Sequence, residues 1–189
     1  MNSLPSLIVR LSQEPFNSDL NFDVAEEYLR LNQTASAVSF YLRCAEYSNQ
    51  PKDTKVYTSL IRMSQCFNDQ QGREYSVNNC LLQAIAYDDE RPEAYLLLSQ
   101  FYEKAYQWQE AYTWATLGLG WTWNNEPLPA DVNYYGRYCL EFQMAVSAWW
   151  IGRKNQSLEI LNELFKRDDL HPMYKSAVKM NLEKLNALL

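Results

Sequence analysis

The side chains that could do chemistry in this chain are few. His171 is the single histidine among 189 residues, so no multi-histidine metal site can be built. It precedes Pro172 in an expected inter-helix turn, a structural or solvent-facing position. Carboxylates gather at Asp88-Asp89-Glu90 and at Asp168-Asp169. Such groups can hold a divalent cation or form an acid/base pair. Each run, however, stands just before an expected helix start, where carboxylates satisfy free N–H groups and meet the positive end of the helix dipole. Cys44, Cys66, Cys80 and Cys139 lack the paired spacing of metal or redox motifs. They read as small core residues of a reducing compartment rather than as a disulfide framework. The scattered serines lack the glycine pattern of a nucleophile elbow. The chain alone is therefore expected to be no enzyme, with no catalytic residue, metal site or cofactor.

What remains is a surface, and composition says of what kind. The hydrophobic share is 47%, aromatic residues make 14%, and there are 5 glycines. Scarce glycine and few turn dipeptides argue against an all-β fold and against a phosphate-cradling loop. A net charge of −6 and the absence of a Lys/Arg cluster argue against the nucleic-acid backbone as the main partner. The apolar run at Leu7-Ile8-Val9 is too short for a signal-peptide core, and nothing elsewhere reaches membrane-spanning length. Asn32-Gln33-Thr34 and Asn155-Gln156-Ser157 match the glycosylation sequon but fall at expected turns and are read as chance matches.

The elements that must carry this surface are helices, read from apolar periodicity. Residues 4 to 11 offer one short helical turn or an approach segment, ending near Pro15. A helix over residues 21–30 turns Val24, Ala25 and Tyr28 inward, and its partner over 35–45 presents Ala37, Tyr41 and Cys44. Asn32 lies in the turn between them and tolerates the left-handed conformation of helix ends. Pro51-Lys52-Asp53-Thr54 breaks the chain and offers a cap before a helix over 56–67 with Leu60, Met63, Ser64 and Phe67 inward. The next helix, 74–87, offers Val77, Leu81 and Ala84. The organising stretch follows: Tyr95, Leu98, Ser99 and Tyr102 on one helix, a turn at residues 105–108, then Ala111, Ala115 and Gly118 on another. Small residues there let two antiparallel helices approach while the bulky ones fill the groove.

Trp121 and Trp123 sit among Asn124, Asn125, Pro127 and Pro129, where no continuous helix can run. The two indoles either cover the end of a helix pair or form an exposed contact patch. A fourth pair is expected over 138–151 and 156–165, with Ala145, Ala148, Ser157, Leu161 and Leu164 in the packing places. Asp168 or Asp169 would cap a terminal helix from Pro172 to Leu189, whose stripe is Tyr174, Val178, Leu182, Leu185 and Leu189.

The small and aromatic pattern at Leu98, Ser99, Tyr102, Ala111, Ala115 and Gly118 resembles that of tetratricopeptide repeats. Ala84 and Gly118, and Val77 and Ala111, both stand thirty-four residues apart, the repeat length of that family. The resemblance implies an all-α, right-handed TPR-like α-solenoid of about four helix pairs. These pairs span approximately 20–47, 55–88, 92–120 and 133–166, with a C-terminal capping helix at 172–189, in one domain over 1–189. In such arrays the first helix of each pair lines a concave groove. Carried over through the packing residues, the groove positions are Phe22, Glu26, Leu29 and Arg30, then Ile61, Gln65 and Asn68. They continue with Leu96, Gln100, Glu103 and Lys104, and end with Phe142, Val146, Trp149 and Trp150. Members that clamp a terminal carboxylate need lysines and asparagines at set places, and Phe22 and Glu26 occupy two of those here. Trp149 and Trp150 either pack beneath the Trp121 loop or touch a ligand.

Two segments carry a narrower resemblance. Arg91-Pro92-Glu93-Ala94 with Trp108 and Ala111, and Tyr135-Gly136-Arg137-Tyr138 with the run Ala145 to Gly152, are similar to the repeat region accompanying family-2-type glycosyltransferases. Such regions occur in bacteria and in phages of marine bacteria and cyanobacteria. That likeness implies a cytoplasmic setting in a bacterial or phage-infected cell. It does not carry catalysis across, because no Asp-x-Asp motif occurs in the chain. The expected function is a non-catalytic protein–protein interaction scaffold with a protein or peptide partner, without nucleic-acid binding or membrane insertion. The alternatives are an accessory segment of a glycosyltransferase and a self-associating phage structural component.

Overall fold

The structure is a computed structural model that describes residues 3–124 and 126–187. Every regular element among them is an α-helix, and the chain forms two compact units. The first comprises Met1–Asp89 and Glu126–Val132, the second Glu90–Asn125 and Asn133–Leu189.

The first unit holds α1 (Leu4–Gln13), α2 (Ser18–Arg30), α3 (Thr34–Tyr47), α4 (Thr54–Asn68) and α5 (Glu74–Tyr87). Asn17 starts α2 by accepting the Leu20 N–H at 3.0 Å. Asp53 starts α4 in the same way through Lys55 N–H at 2.9 Å, as its type and place predict. α1 is a full helix rather than one turn, because Leu7 and Leu11 bury themselves against Leu20 and Val24 of α2. The main core joins Phe22, Ala25, Ala37, Tyr41, Cys44, Met63 and Cys80, and Ala130 of the returning segment packs on it.

The second unit holds α6 (Glu93–Lys104), α7 (Trp108–Trp121), α8 (Tyr138–Trp150), α9 (Lys154–Phe165) and α10 (Pro172–Asn186). Its core runs through Ala94, Leu98, Ala111, Ala115, Leu140, Ala145, Ala148, Leu161 and Val178, all at most 1% exposed. Of the predicted terminal stripe, Tyr174, Val178, Leu182 and Leu185 are buried, and Leu189 lies outside the described residues.

One local device recurs in three of the four helix pairs. Asn32, Tyr106 and Gly152 take positive φ of 57°, 58° and 86°. The following N–H then reaches back across the helix end, Gln33 to Tyr28 O, Gln107 to Tyr102 O and Arg153 to Ala148 O, each at 2.9 Å. This closure satisfies carbonyls that a helix end leaves open, and it sends the chain back antiparallel. Asn and Gly suit that backbone. Tyr106 accepts it at a steric cost, and its ring stands edge-on to Trp108 at 5.9 Å.

The carboxylate runs do not start helices. Asp88 ends α5 and is buried beside Lys52 at 3.6 Å. α6 begins at Glu93, and Pro92 before it supplies no side-chain cap; the buried Arg91 pairs with Glu93 at 2.8 Å. Asp169 is taken by Arg167 through contacts of 2.9 and 2.7 Å, which leaves the cap of α10 to His171. The His171 Nδ1 accepts the Met173 N–H at 3.4 Å, and Tyr135 stacks on the imidazole at 4.1 Å. Proline at the first position of α10 fixes where that helix starts, so the capping residue is whichever precedes it.

Candidate interaction grooves

In the first unit the first helices of the two pairs, α2 and α4, meet through charge. Tyr41 donates from its hydroxyl to Glu26 Oε1 at 2.5 Å, and Arg62 Nε donates to the same oxygen at 3.2 Å. Arg62 also reaches Gln65 Oε1 at 3.1 Å. Burial, reinforced by the Glu26 carboxylate, pushes the Tyr41 hydroxyl well above the ordinary phenol range. The sequence-selected Glu26 and Gln65 are thus joined by Arg62, a residue that apolar periodicity passes over because its partner stands thirty-six positions away. Leu29 is half-buried against the core. Arg30 is exposed and tied to Glu27 at 2.7 Å, while Asn68 is exposed at the end of α4.

On α2, α4 and α6 three residues chosen as groove positions are buried packing groups. Phe22, Ile61 and Leu96 are 4%, 0% and 1% exposed. Their apolar side chains gain more from the core than from a wet groove, at about 25 cal/mol per Å² removed from water.

In the second unit α6, α8 and α10 line two clefts that share Glu103. One, of about 290 Å³, is formed by Gln100, Glu103, Lys104, Phe142 and Gln143 with Met173, Tyr174 and Ala177. The other, of about 560 Å³, is formed by Glu103, Trp108, Val146, Trp149 and Trp150 with Asn181, Lys184, Leu185 and Ala187. Gln143 donates from its amide to Glu103 and thereby ties α8 to α6. Every sequence-selected position of the third and fourth pairs except Leu96 lines one of these clefts. The α10 wall escapes sequence reasoning, which treats that helix as a cover. The signal is present nonetheless: Ala177, Asn181 and Lys184 recur at helical spacing beside the buried stripe.

The tryptophans divide by role. Trp150 stacks on Trp108 at 5.2 Å and 19° rather than beneath the Trp121 loop. Trp149 is 5% exposed, with the Lys154 ammonium 4.7 Å from its ring centroid. Trp121 and Trp123 are 59% and 65% exposed, so they do not bury themselves as a lid over a helix pair.

A third and larger hollow of about 720 Å³ lies across α7, α8 and α9. Leu119, Met144, Ile160 and Leu164 give it apolar walls, and Arg137, Glu141 and Arg167 give it a linked charged rim. Arg167 holds Glu141 at 3.2 Å, while Arg137 donates to Leu119 O at 2.7 Å. No group of His, Cys, Asp and Glu capable of holding a metal occurs among the described residues. None of the described helices is long and apolar enough to cross a membrane.

No protein-family model and no curated protein matches the chain. Solved structures do. MamA superposes with a TM-score of 0.63 at 12% identity, over 85% of this chain and 83% of its own. YrrB, described as a TPR protein with an unusual peptide-binding site, gives 0.63 at 10% identity over 96% and 81%. PilF of Pseudomonas aeruginosa gives 0.64 at 14% identity over 89% and 67%. At such identities the likeness is one of backbone. With an architecture in which every regular element described is an α-helix, it shows that the chain has the tetratricopeptide-repeat fold.

Proposed function

We propose that the chain is a non-catalytic protein-interaction module that holds an extended peptide or a partner's helix against α6, α8 and α10. The observation that carries this reading is the convergence of Gln100, Glu103, Lys104, Phe142, Val146 and Trp150 on two clefts sharing one carboxylate. An aromatic and aliphatic floor with amides and charges at its edge suits peptide recognition, where apolar contact supplies affinity and polar groups fix register. YrrB, of the same fold, is described as having a peptide-binding site, which raises the expectation for this surface without transferring residues.

The test is a selection of random dodecapeptides on the intact protein, with affinities then measured by fluorescence anisotropy. Gln100→Arg and Phe142→Ala, checked for unchanged helicity, should weaken the selected peptides at least about tenfold. Trp149→Ala is a poorer variant because that ring is buried. Peptides that bind both variants as tightly as the natural chain would place the interaction elsewhere.

A further inference from the structure

We propose that the cleft between Glu103 and Trp150 is a subsite for an arginine side chain. The inference rests on the peptide-binding reading of the same surface and adds the chemistry of one recognised residue.

Glu103 is half-buried and lines both clefts. Its carboxylate accepts from Gln143, a neutral amide, and no cationic side chain among the described residues stands within ion-pair distance of it. Lys184 lines the same cleft but forms no ion pair there. A carboxylate drawn partly out of water beside aromatic rings gains from an opposite charge more than an exposed one does.

The rings make that charge a flat one. Trp108 and Trp150 are stacked, and Trp150 remains 56% exposed. The face of an indole attracts cations, most strongly where water is excluded. Lys154 over Trp149 shows such a contact made within the chain, and it leaves Trp150 as the ring available to a ligand. Glu103 and Trp150 line the same cleft, and a guanidinium offers a flat face to an indole and edge N–H groups to a carboxylate, a combination that a compact ammonium does not offer. Acidic or phosphorylated side chains are disfavoured at this place by Glu103 itself.

The experiment is an NMR titration of the intact protein with Nα-acetyl-arginine methylamide, beside the lysine and norleucine analogues. The chain has 6 tryptophans, so the indole N–H signals form a small set assignable by substitution. The arginine probe should shift the Trp108 and Trp150 signals and leave Trp123, an exposed loop indole, unmoved. Trp150→Ala, at an exposed position, should abolish the shift at Trp108. Glu103→Gln should weaken the apparent affinity at least about fivefold. Equal shifts with lysine or norleucine, or shifts that survive both variants, would overturn the proposal. Because the probe is a single residue, its failure leaves the dodecapeptide result standing. Its success would likewise stand if no dodecapeptide bound.

Discussion

The hydroxyl of Ser99 donates a 2.7 Å hydrogen bond to the carbonyl oxygen of Ala111, and both residues are wholly buried. This bond ties α6 to α7 where small side chains face each other. Ser99→Ala keeps the approach and removes the bond, so it should cost about 1 kcal/mol. Ser99→Leu must force the helices apart and should cost about 3 kcal/mol. Urea midpoints read at constant slope separate the two. A neutral Ser99→Leu would mean that the two helices are not held at this contact.

Gly118 and Gly120 lie on one helix and should respond to alanine with opposite signs. A Cβ at Gly118 would stand 2.8 Å from Tyr95 Cβ and 3.0 Å from Leu140 Cδ1, whereas one at Gly120 meets nothing within 4 Å. Alanine gains about 1 kcal/mol of helix propensity at either site. At Gly118 the opposing atom is fixed to its backbone and cannot swing away, so the collision outweighs that gain. Gly118→Ala should destabilise by about 1 kcal/mol and Gly120→Ala should stabilise by about 0.5 kcal/mol, both read from thermal unfolding.

The buried Arg91–Glu93 pair should behave asymmetrically. Arg91 is fully inaccessible and its NH2 lies 2.8 Å from Glu93 Oε1. Arg91→Met strands the carboxylate and should cost about 3–5 kcal/mol. The double variant Arg91→Met, Glu93→Leu removes both charges and should recover more than half of that loss. A double variant as unstable as the single one would show that Arg91 stabilises the fold through contacts other than that with Glu93.

Alkali should weaken the fold before it touches the folded thiols. Burial pushes Cys66 and Cys80 up to about 11, against an ordinary thiol near 9. Between those values the unfolded chain has lost protons that the folded chain retains, so stability falls as pH rises from about 9 to about 11. Burial also raises Tyr41, Tyr134 and Tyr174, which extends the decline further. Each thiol contributes on the order of 2 kcal/mol across that window. Urea midpoints followed from pH 8 to 11 should drop, and Cys66→Ala with Cys80→Ala should make the drop shallower.

Much of this architecture was legible in the residues themselves, because repeat packing is written in small side chains at fixed spacing. Ser99, Ala111, Ala115 and Gly118 announce one helix pair, and Asn32 and Gly152 announce turns that only a few residue types favour. A cap within Pro51-Lys52-Asp53-Thr54 was readable, and Asp53 supplies it by acting on a neighbour two residues away. Local chemistry of this kind needs no distant partner.

The errors share the opposite cause. Asp88 and Asp169 are capping residues by type and place, yet Lys52 and Arg167 reach them first. Phe22, Ile61 and Leu96 stand at groove positions by register, but how deep a position lies is set by what packs over it. The tie between Glu26 and Arg62 and the wall that α10 gives the clefts join residues far apart in the chain. Sequence determined the helices, their turns and the faces they must bury. Tertiary structure decided which of the remaining side chains stay wet and which charges find a partner, because both depend on neighbours that only folding brings together.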